Sequence, residues 1–341
     1  MPGRVCISLD VMGGDFGAPV VVPAAVEFVN EDPDIELILV GRESQIREQL
    51  ANHQFDAERL RVHNASEEVG MDELPSKALR NKKDSSMRVA IDLVKSGEAQ
   101  ACVSAGNTGA LMATARFVLK MLPNVDRPAI ITALPSMTGQ TWVLDLGANV
   151  DCTAENLFQF AVMGVEEVAA VEGVDRPRVG LLNIGQEEIK GNEQVKQAHE
   201  FLAASTLNYV GYVEGDGIYT GDADIVVTDG FVGNVALKSS EGVAKMIRKY
   251  MRSGFERNLL TRIAGLIALP VLRGFSRKID PRRYNGASLL GLRGIVIKSH
   301  GGADRIAFKN AIQIAKKAVY TDVPNRIARQ VEAHLDHRVS A

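Results

Sequence analysis

Short apolar runs alternate with amphipathic helical stretches along most of this 341-residue chain. Val5 to Leu9, Ile35 to Val40, Arg61 to His63, the run at Val103, Ile130 to Leu134, Trp142 to Leu146, Val179 to Ile184, Tyr209 to Val213 and Ile225 to Thr228 read as strands. Helical spacing recurs near Val20 to Asn30, Ser44 to Ala51, Met87 to Lys95, Ala154 to Met163 and Asn192 to Ala203. A strand that is apolar on both faces must be covered on both faces, and helices between successive strands supply that cover. The pattern therefore predicts an α/β fold, a three-layer α/β/α sandwich around a mostly parallel sheet. No repeat or low-complexity linker divides it, so residues 1 to 341 read as a single domain.

Polar, glycine-rich turns follow five of the strands: Asp10 to Asp15, Ser104 to Gly109, Asp145 to Asn149, Asn183 to Glu188 and Asp229 to Asn234. In a parallel sheet the carboxyl ends lie on one edge, so these turns are expected to meet in a single crevice. The second is the most informative. Ala101 to Ser104 breaks into Gly106-Asn107-Thr108-Gly109, after which Leu111, Met112, Ala115, Val118 and Leu119 follow at helical spacing. A strand, tight turn and helix in this order point the free amides of a first helical turn at the bend, which suits a phosphate or carboxylate. A simple cap by Asn107 or Thr108 explains the same residues. Neither a Gly-x-Gly-x-x-Gly nor a P-loop spacing occurs, which removes the main support for a nucleotide site. Asp222, Asp224 and Asp229 are hard oxygen donors. They read better as turn and strand-end residues, and no metal is expected.

The net charge of −3 argues against a general nucleic-acid binder. Cys6, Cys102 and Cys152 are odd in number and two lie in apolar runs, so reduced thiols and a cytosolic location are expected. The first ten residues carry no signal peptide, and no apolar run is expected to approach the roughly 20 residues of a membrane span. Two basic regions stand out. Lys77, Arg80, Lys82, Lys83 and Arg88 crowd one segment. Between Lys245 and Arg283, eleven Lys or Arg face only Glu256 and Asp280, a local +9 that leaves −12 on the remainder. Val243, Met246, Ile247, Tyr250 and Met251 form a stripe there, and Ile263, Leu266, Ile267, Leu269, Val271, Leu272 and Phe275 surround Pro270. Residues 236 to 283 are thus expected to form a helical hairpin with an apolar tip where proline breaks the helix. Core packing explains the stripe, and so does an interfacial anchor on anionic lipid.

Leu9 to Asp15, Pro75 to Arg80 with Lys82 to Met87, Ser104 to Ala110, Leu144 to Asn149, Leu182 to Gly191, Thr228 to Asn234 and Ile297 to Gly301 together carry a family likeness. In these segments the chain resembles the PlsX family, the bacterial phosphate acyltransferases that convert acyl-acyl carrier protein and inorganic phosphate to acyl phosphate for phospholipid synthesis. The resemblance implies a fold similar to phosphate acetyltransferases and to isocitrate and isopropylmalate dehydrogenases. It also implies a homodimer, no cofactor, acyl carrier protein as partner, and a place on the inner face of the membrane beside the acyltransferase that consumes the product.

In the implied reaction phosphate itself is the nucleophile, so the site needs a cradle for a dianion and donors for the developing oxyanion. Gly106, Asn107 and Thr108 are the expected phosphate turn. Lys190 is a candidate for neutralising charge, and Asn234 and Lys238, one helical turn apart, for an opposing wall. His300, beside Ser299 and two glycines, is a candidate donor to phosphate or to the leaving sulfur. Asp10, Asp15, Asp145, Asn149, Asn183, Glu187 and Asp229 are expected to support these groups rather than face the anion. Lys77, Arg80, Lys82 and Lys83 would form the rim on which the acidic carrier docks. Rival readings are a phosphate acetyltransferase using coenzyme A, a metal- and NAD-dependent decarboxylating dehydrogenase, and a non-catalytic adaptor linking carrier protein to membranes.

Overall fold

The computed structural model describes residues 4–278 and 280–339. Strand and helix alternate at first: β1 (Val5–Asp10), α1 (Ala18–Glu31), β2 (Ile35–Gly41), α2 (Glu43–Leu50), β3 (Leu60–Asn64), α3 (Pro75–Asn81), α4 (Ser86–Ser96), β4 (Ala101–Ser104) and α5 (Thr108–Leu119). A hairpin of β5 (Ala129–Ser136) and β6 (Gly139–Leu144) precedes α6 (Ala154–Glu172), β7 (Val179–Leu182), α7 (Glu193–Ala203), β8 (Tyr209–Val213), α8 (Gly217–Thr220) and β9 (Ile225–Val227). Two long helices, α9 (Gly230–Glu256) and α10 (Leu259–Lys278), lead through a 3-10 turn at Pro281–Tyr284 to β10 (Ala287–Leu290), β11 (Ile295–Lys298), α11 (Arg305–Tyr320) and α12 (Val323–Val339).

The strands form one eleven-stranded sheet in the order β3-β2-β1-β4-β11-β10-β5-β6-β9-β7-β8. Most neighbours pair in parallel, as the alternation predicts; β11 with β10, β10 with β5 and β5 with β6 are antiparallel. Those three pairs change the geometry of the site. Following directions across the sheet, β5 runs with β1, β4 and β11, whereas β6, β9, β7 and β8 run the opposite way. The carboxyl ends of the two groups therefore lie at opposite sheet edges, and the expected single convergence of five turns does not occur. The reversal comes at the β5–β6 hairpin, whose two apolar runs look like any other strands of a parallel sheet until their pairing is seen.

Both faces of the sheet are dry. Cys6, Cys102 and Val296 pack on the face covered by α4 and α5, and Ile7, Val103 and Ile297 pack under α1 and α11 on the other face of the same strands. The thiols of Cys6 and Cys102 are buried and Cys152 is half-buried, all three unpaired. Burial raises Cys152 to about 11, which makes it a poor nucleophile.

One polar group is sealed into this core. Glu167 of α6 is fully buried; its Oε1 accepts a 2.5 Å bond from Ser288 Oγ and its Oε2 has no partner. A cavity of about 20 Å³ adjoins it, lined by Ser288, Gly291, Leu292 and Ile327 among others. Burial pushes its pKa up to about 7, so the folded chain holds a proton that the unfolded chain has released. The stability it allows is complete below the unfolded value near 4.3 and is lost as pH rises towards about 7. Glu167→Gln is accordingly expected to flatten the fall of melting temperature between pH 5 and pH 8 and to stabilise the chain at pH 8 by a few kcal/mol, about 1.4 per pKa unit. Parallel melting curves for the two proteins would refute this.

The hairpin corrects one detail. Helix α9 ends at Glu256 and the chain turns at Arg257 and Asn258, whereas Pro270 lies inside α10. Asn258 and Thr261 cap each other, Asn258 Oδ1 accepting from Thr261 N at 2.9 Å and Thr261 Oγ1 from Asn258 N at 3.0 Å. That reciprocal cap starts a new helix without help from proline, whose missing donor costs a single bond further on. No residue of α10 is buried. By length and composition alone Leu259–Tyr284 is long and apolar enough to cross a membrane, with mean hydropathy 1.4, contrary to the expectation that no run approaches that length.

Candidate functional site

Three parallel strands end together at the first edge. Asp10 of β1 is level with Ser104 of β4, and Ser104 is level with Lys298 of β11. Register partners in a parallel pair stand on the same face, so carboxyl, hydroxyl and ammonium form a row. Asp10 is buried, its Oδ1 accepting from Ser86 Oγ and its Oδ2 from Ser104 Oγ, both at 2.6 Å. Burial raises its pKa, and these bonds together with the amides of Met12 and Gly13 oppose the rise. A Cβ at Gly13 would stand 2.5 Å from Asp10 Oδ2 and 2.8 Å from Gly106 N, so only glycine lets the two turns approach so closely.

The turn that follows β4 caps a helix and leaves main-chain donors free. Asn107 caps α5, its Oδ1 accepting from Ala110 N at 3.0 Å, and its Nδ2 donates to the carbonyls of Met71 and Glu73. Its side chain is therefore fully committed. Gly106 N donates to Ser104 Oγ. The amides of Asn107, Thr108 and Gly109 donate to no acceptor among the described residues, and Thr108 and Gly109 are exposed. Three successive unspent donors thus stand at the head of a twelve-residue helix, an arrangement that suits an anion.

The turn after β11 closes beside it. Ser299 N donates to Ser104 O and Asp15 N to Gly301 O, each at 2.9 Å. Ser299 is fully buried, and Asn285 Nδ2 donates to its hydroxyl. Asn285 Oδ1 also accepts from His300 N at 2.8 Å. The exposed His300 ring accepts from Gly302 N at Nδ1, 3.0 Å away, which leaves the ring proton of the neutral form on Nε2. Partial burial lowers the His300 pKa, with Lys238 and Lys298 adding to that effect and Glu241 and Asp15 opposing it, which favours the neutral imidazole. Lys298 is 8% exposed and donates to Ala105 O at 3.2 Å and to Ser299 O.

At the opposite edge Asp145 organises a second set. Its carboxylate accepts from the amides of Ile130, Ala148 and Asn149 and from Asn149 Nδ2, at 2.7 to 3.1 Å. Burial is the largest influence and raises its pKa. Asp229 caps α9 through Val232 N. Asn234 is exposed on the first turns of α9, beside Gly147, whose φ of +104° suits glycine; Asn234 Cβ stands 3.6 Å from where a side chain at Gly147 would begin. Asn183 is buried and holds the next turn closed by donating to the carbonyls of Gly185 and Lys190. Lys190 and Glu187 are exposed on that turn.

Helix α9 joins the two edges. It leaves the second at Asp229, and by Lys238 and Glu241 it lies close enough to the first to act on the charges of His300 and Lys298. Lys238 itself pairs with Glu241 at 3.0 Å. Exposed Ile184, Ile189, Phe231 and Val235 give the second edge an apolar rim. The basic rim near α3 is smaller than expected. Lys82 is spent on Glu73 Oε2 at 2.7 Å and on Glu68 O, leaving Lys77, Arg80 and Lys83 exposed without an ion pair among the described residues. Sequence reading passed over Lys298 and Asn285, although Lys298 stands inside a segment already singled out. A lysine at a strand end looks like a surface charge until its burial is seen.

No group of three or more His, Cys, Asp or Glu suited to a metal ion occurs among the described residues. The family described as "Fatty acid synthesis protein" matches residues 5–326. A phosphate acyltransferase of Methylococcus capsulatus is 67% identical over 326 residues, covering 95% of this chain and 96% of that one. A phosphate acyltransferase of Alkalilimnicola ehrlichii is 64% identical over 336 residues, covering 98% of each. Among solved structures, a phosphotransacetylase from Streptococcus pyogenes superposes with a TM-score of 0.63 at 19% identity, covering 93% of this chain and 94% of that one. That likeness bears out the expected fold.

Proposed function

This chain belongs to the phosphate acyltransferase family of fatty acid synthesis proteins, and from that premise we propose how its residues move an acyl group to phosphate. The observation that carries the reading is an identity of 67% to a phosphate acyltransferase along nearly the whole chain, joined to a free anion cradle at the head of α5. Inorganic phosphate sits on the amides of Asn107, Thr108 and Gly109, with His300 and Lys238 beside it. A phosphate oxygen attacks the thioester carbonyl carbon of an acylated carrier protein, the C–S bond breaks, and acyl phosphate and a carrier thiol result. A thiolate with pKa near 8.5 leaves readily, so one donated hydrogen bond, from His300 Nε2, suffices.

Lys190 and Asn234 reach in from the second edge along α9 and donate to the developing oxyanion of a thioester held against the phosphate. Ile184, Ile189 and Phe231 offer the fatty chain an apolar path. Asp10, Asp145, Asn149, Asn183 and Asp229 hold the walls, and Ser299 ties two of the turns. Lys77, Arg80 and Lys83 receive the acidic carrier. Two copies pair through one face of the α9–α10 hairpin, and its apolar ridge rests on the inner face of the membrane.

Incubating acylated carrier protein with the chain and inorganic phosphate, then trapping with hydroxylamine, is expected to give the fatty hydroxamate only when phosphate is present. Persistence of the thioester would refute the reading. Faster loss of acetyl-coenzyme A under the same conditions would move it to the phosphotransacetylase reaction.

A further inference from the structure

We propose that Lys298 is a positioning residue for the phosphate cradle, its buried ammonium clamping the turn after β4 to the turn after β11. The inference rests on the phosphate-transfer reading and goes beyond it, because the residue lies beneath the cradle.

An ammonium in the interior needs compensation. Lys298 makes no ion pair among the described residues; its acceptors are the carbonyls of Ala105 and Ser299. Each carbonyl belongs to a peptide whose N–H is fixed at the other end, Gly106 N on Ser104 Oγ and His300 N on Asn285 Oδ1. Both peptide planes are therefore pinned on both sides. The next groups along the two turns are the free amides of Asn107 to Gly109 and the imidazole of His300. One cation thus sets the spacing between the groups that would grip an anion, and its third donor and its charge remain to attract one.

The charged and titratable groups around Lys298 come from four elements. Asp10 on β1 and Asp15 on the following turn favour its charged form, and Lys238 on α9 opposes it. His300, on its own turn, is biased towards the neutral form and also feels Lys298. Burial dominates and brings Lys298 down to about 8, so the clamp loses its charge within an accessible range. Phosphate at that pH is already the dianion and does not account for a loss of binding there.

The experiment titrates inorganic phosphate into the wild-type chain, Lys298→Met and Lys298→Arg between pH 6.5 and 9.5 by calorimetry, and measures the phosphate KM in turnover. Wild-type affinity is expected to weaken above about pH 8, approaching tenfold per pH unit for a one-proton loss. Lys298→Met, which keeps the length and removes the charge, is expected to weaken phosphate at least tenfold at pH 7 and to abolish the alkaline limb. Lys298→Arg is expected to retain binding at pH 7 and extend it to higher pH. A folded Met variant whose phosphate affinity stays within twofold of wild type overturns the proposal. If the Met variant does not fold, a wild-type chain with flat phosphate affinity from pH 7 to 9.5 overturns it equally. Phosphate binding with the alkaline limb but without thioester turnover would uphold Lys298 and sink the acyl-transfer reading.

Discussion

Lys190→Ala is expected to lower phosphate-dependent turnover at least tenfold, and Asn234→Ala by a similar factor, with the melting temperature of each variant unchanged. Donors aimed at developing charge are worth about 10²- to 10³-fold each where their geometry is optimal. Both side chains are exposed, and neither makes a side-chain hydrogen bond or ion pair among the described residues. Their removal should therefore shift stability by no more than about 0.5 kcal/mol. Turnover at saturating phosphate and a thermal melt suffice for the comparison. The result is informative because the two residues stand at the carboxyl ends of β7 and β9, opposite the edge that carries the α5 cradle. Normal turnover in both variants would confine the chemistry to the first edge and to Lys238 on the approaching helix.

Leu266→Glu combined with Ile267→Glu and Val271→Glu is expected to abolish co-sedimentation with phosphatidylglycerol vesicles while leaving soluble turnover within about twofold. These side chains are 69%, 77% and 75% exposed in the chain. Leu269 and Leu272, equally apolar in sequence, are only half-exposed, so the outward ridge is carried by the other three. Moving a large aliphatic side chain out of water is worth about 1.5–3 kcal/mol, so three together change a partition coefficient by more than about a thousandfold. The surrounding cations add attraction to anionic headgroups. Vesicle binding that survives the triple change would remove the ridge from the bilayer. A simultaneous fall from dimer to monomer on a sizing column would assign it to the partner copy instead.

Much of the fold was legible because burial on both faces leaves unbroken apolar runs, and β1, β2 and β8 lie where those runs are. The hairpin turn lies at Asn258 and not at Pro270, because a proline inside a helix forfeits one bond without ending it. A reciprocal Asn258–Thr261 cap ends one helix and starts another with ordinary polar residues. The candidate site was legible as residue types in turns, as with Asn107 and His300. It was not legible as an arrangement, since the reversal of strand direction rests on the antiparallel pairing of β5 with β6, and apolar runs do not state which way their neighbours run. Nor could sequence tell a free donor from a spent one. Asn107 looked like a ligand for phosphate, yet its side chain is consumed by Ala110, Met71 and Glu73, and the cradle is left to main-chain amides.

Helix α9 has a mechanical consequence. Its 27 residues make a stiff strut about 40 Å long, with Asn234 and Lys238 near its root and Val243 to Met251 further out. Docking of the outer half on lipid would bring the root to a fixed height above the headgroups, so a freshly made mixed anhydride need travel only part of the strut's length to enter the bilayer. Water, which destroys such anhydrides, would have little time to intervene.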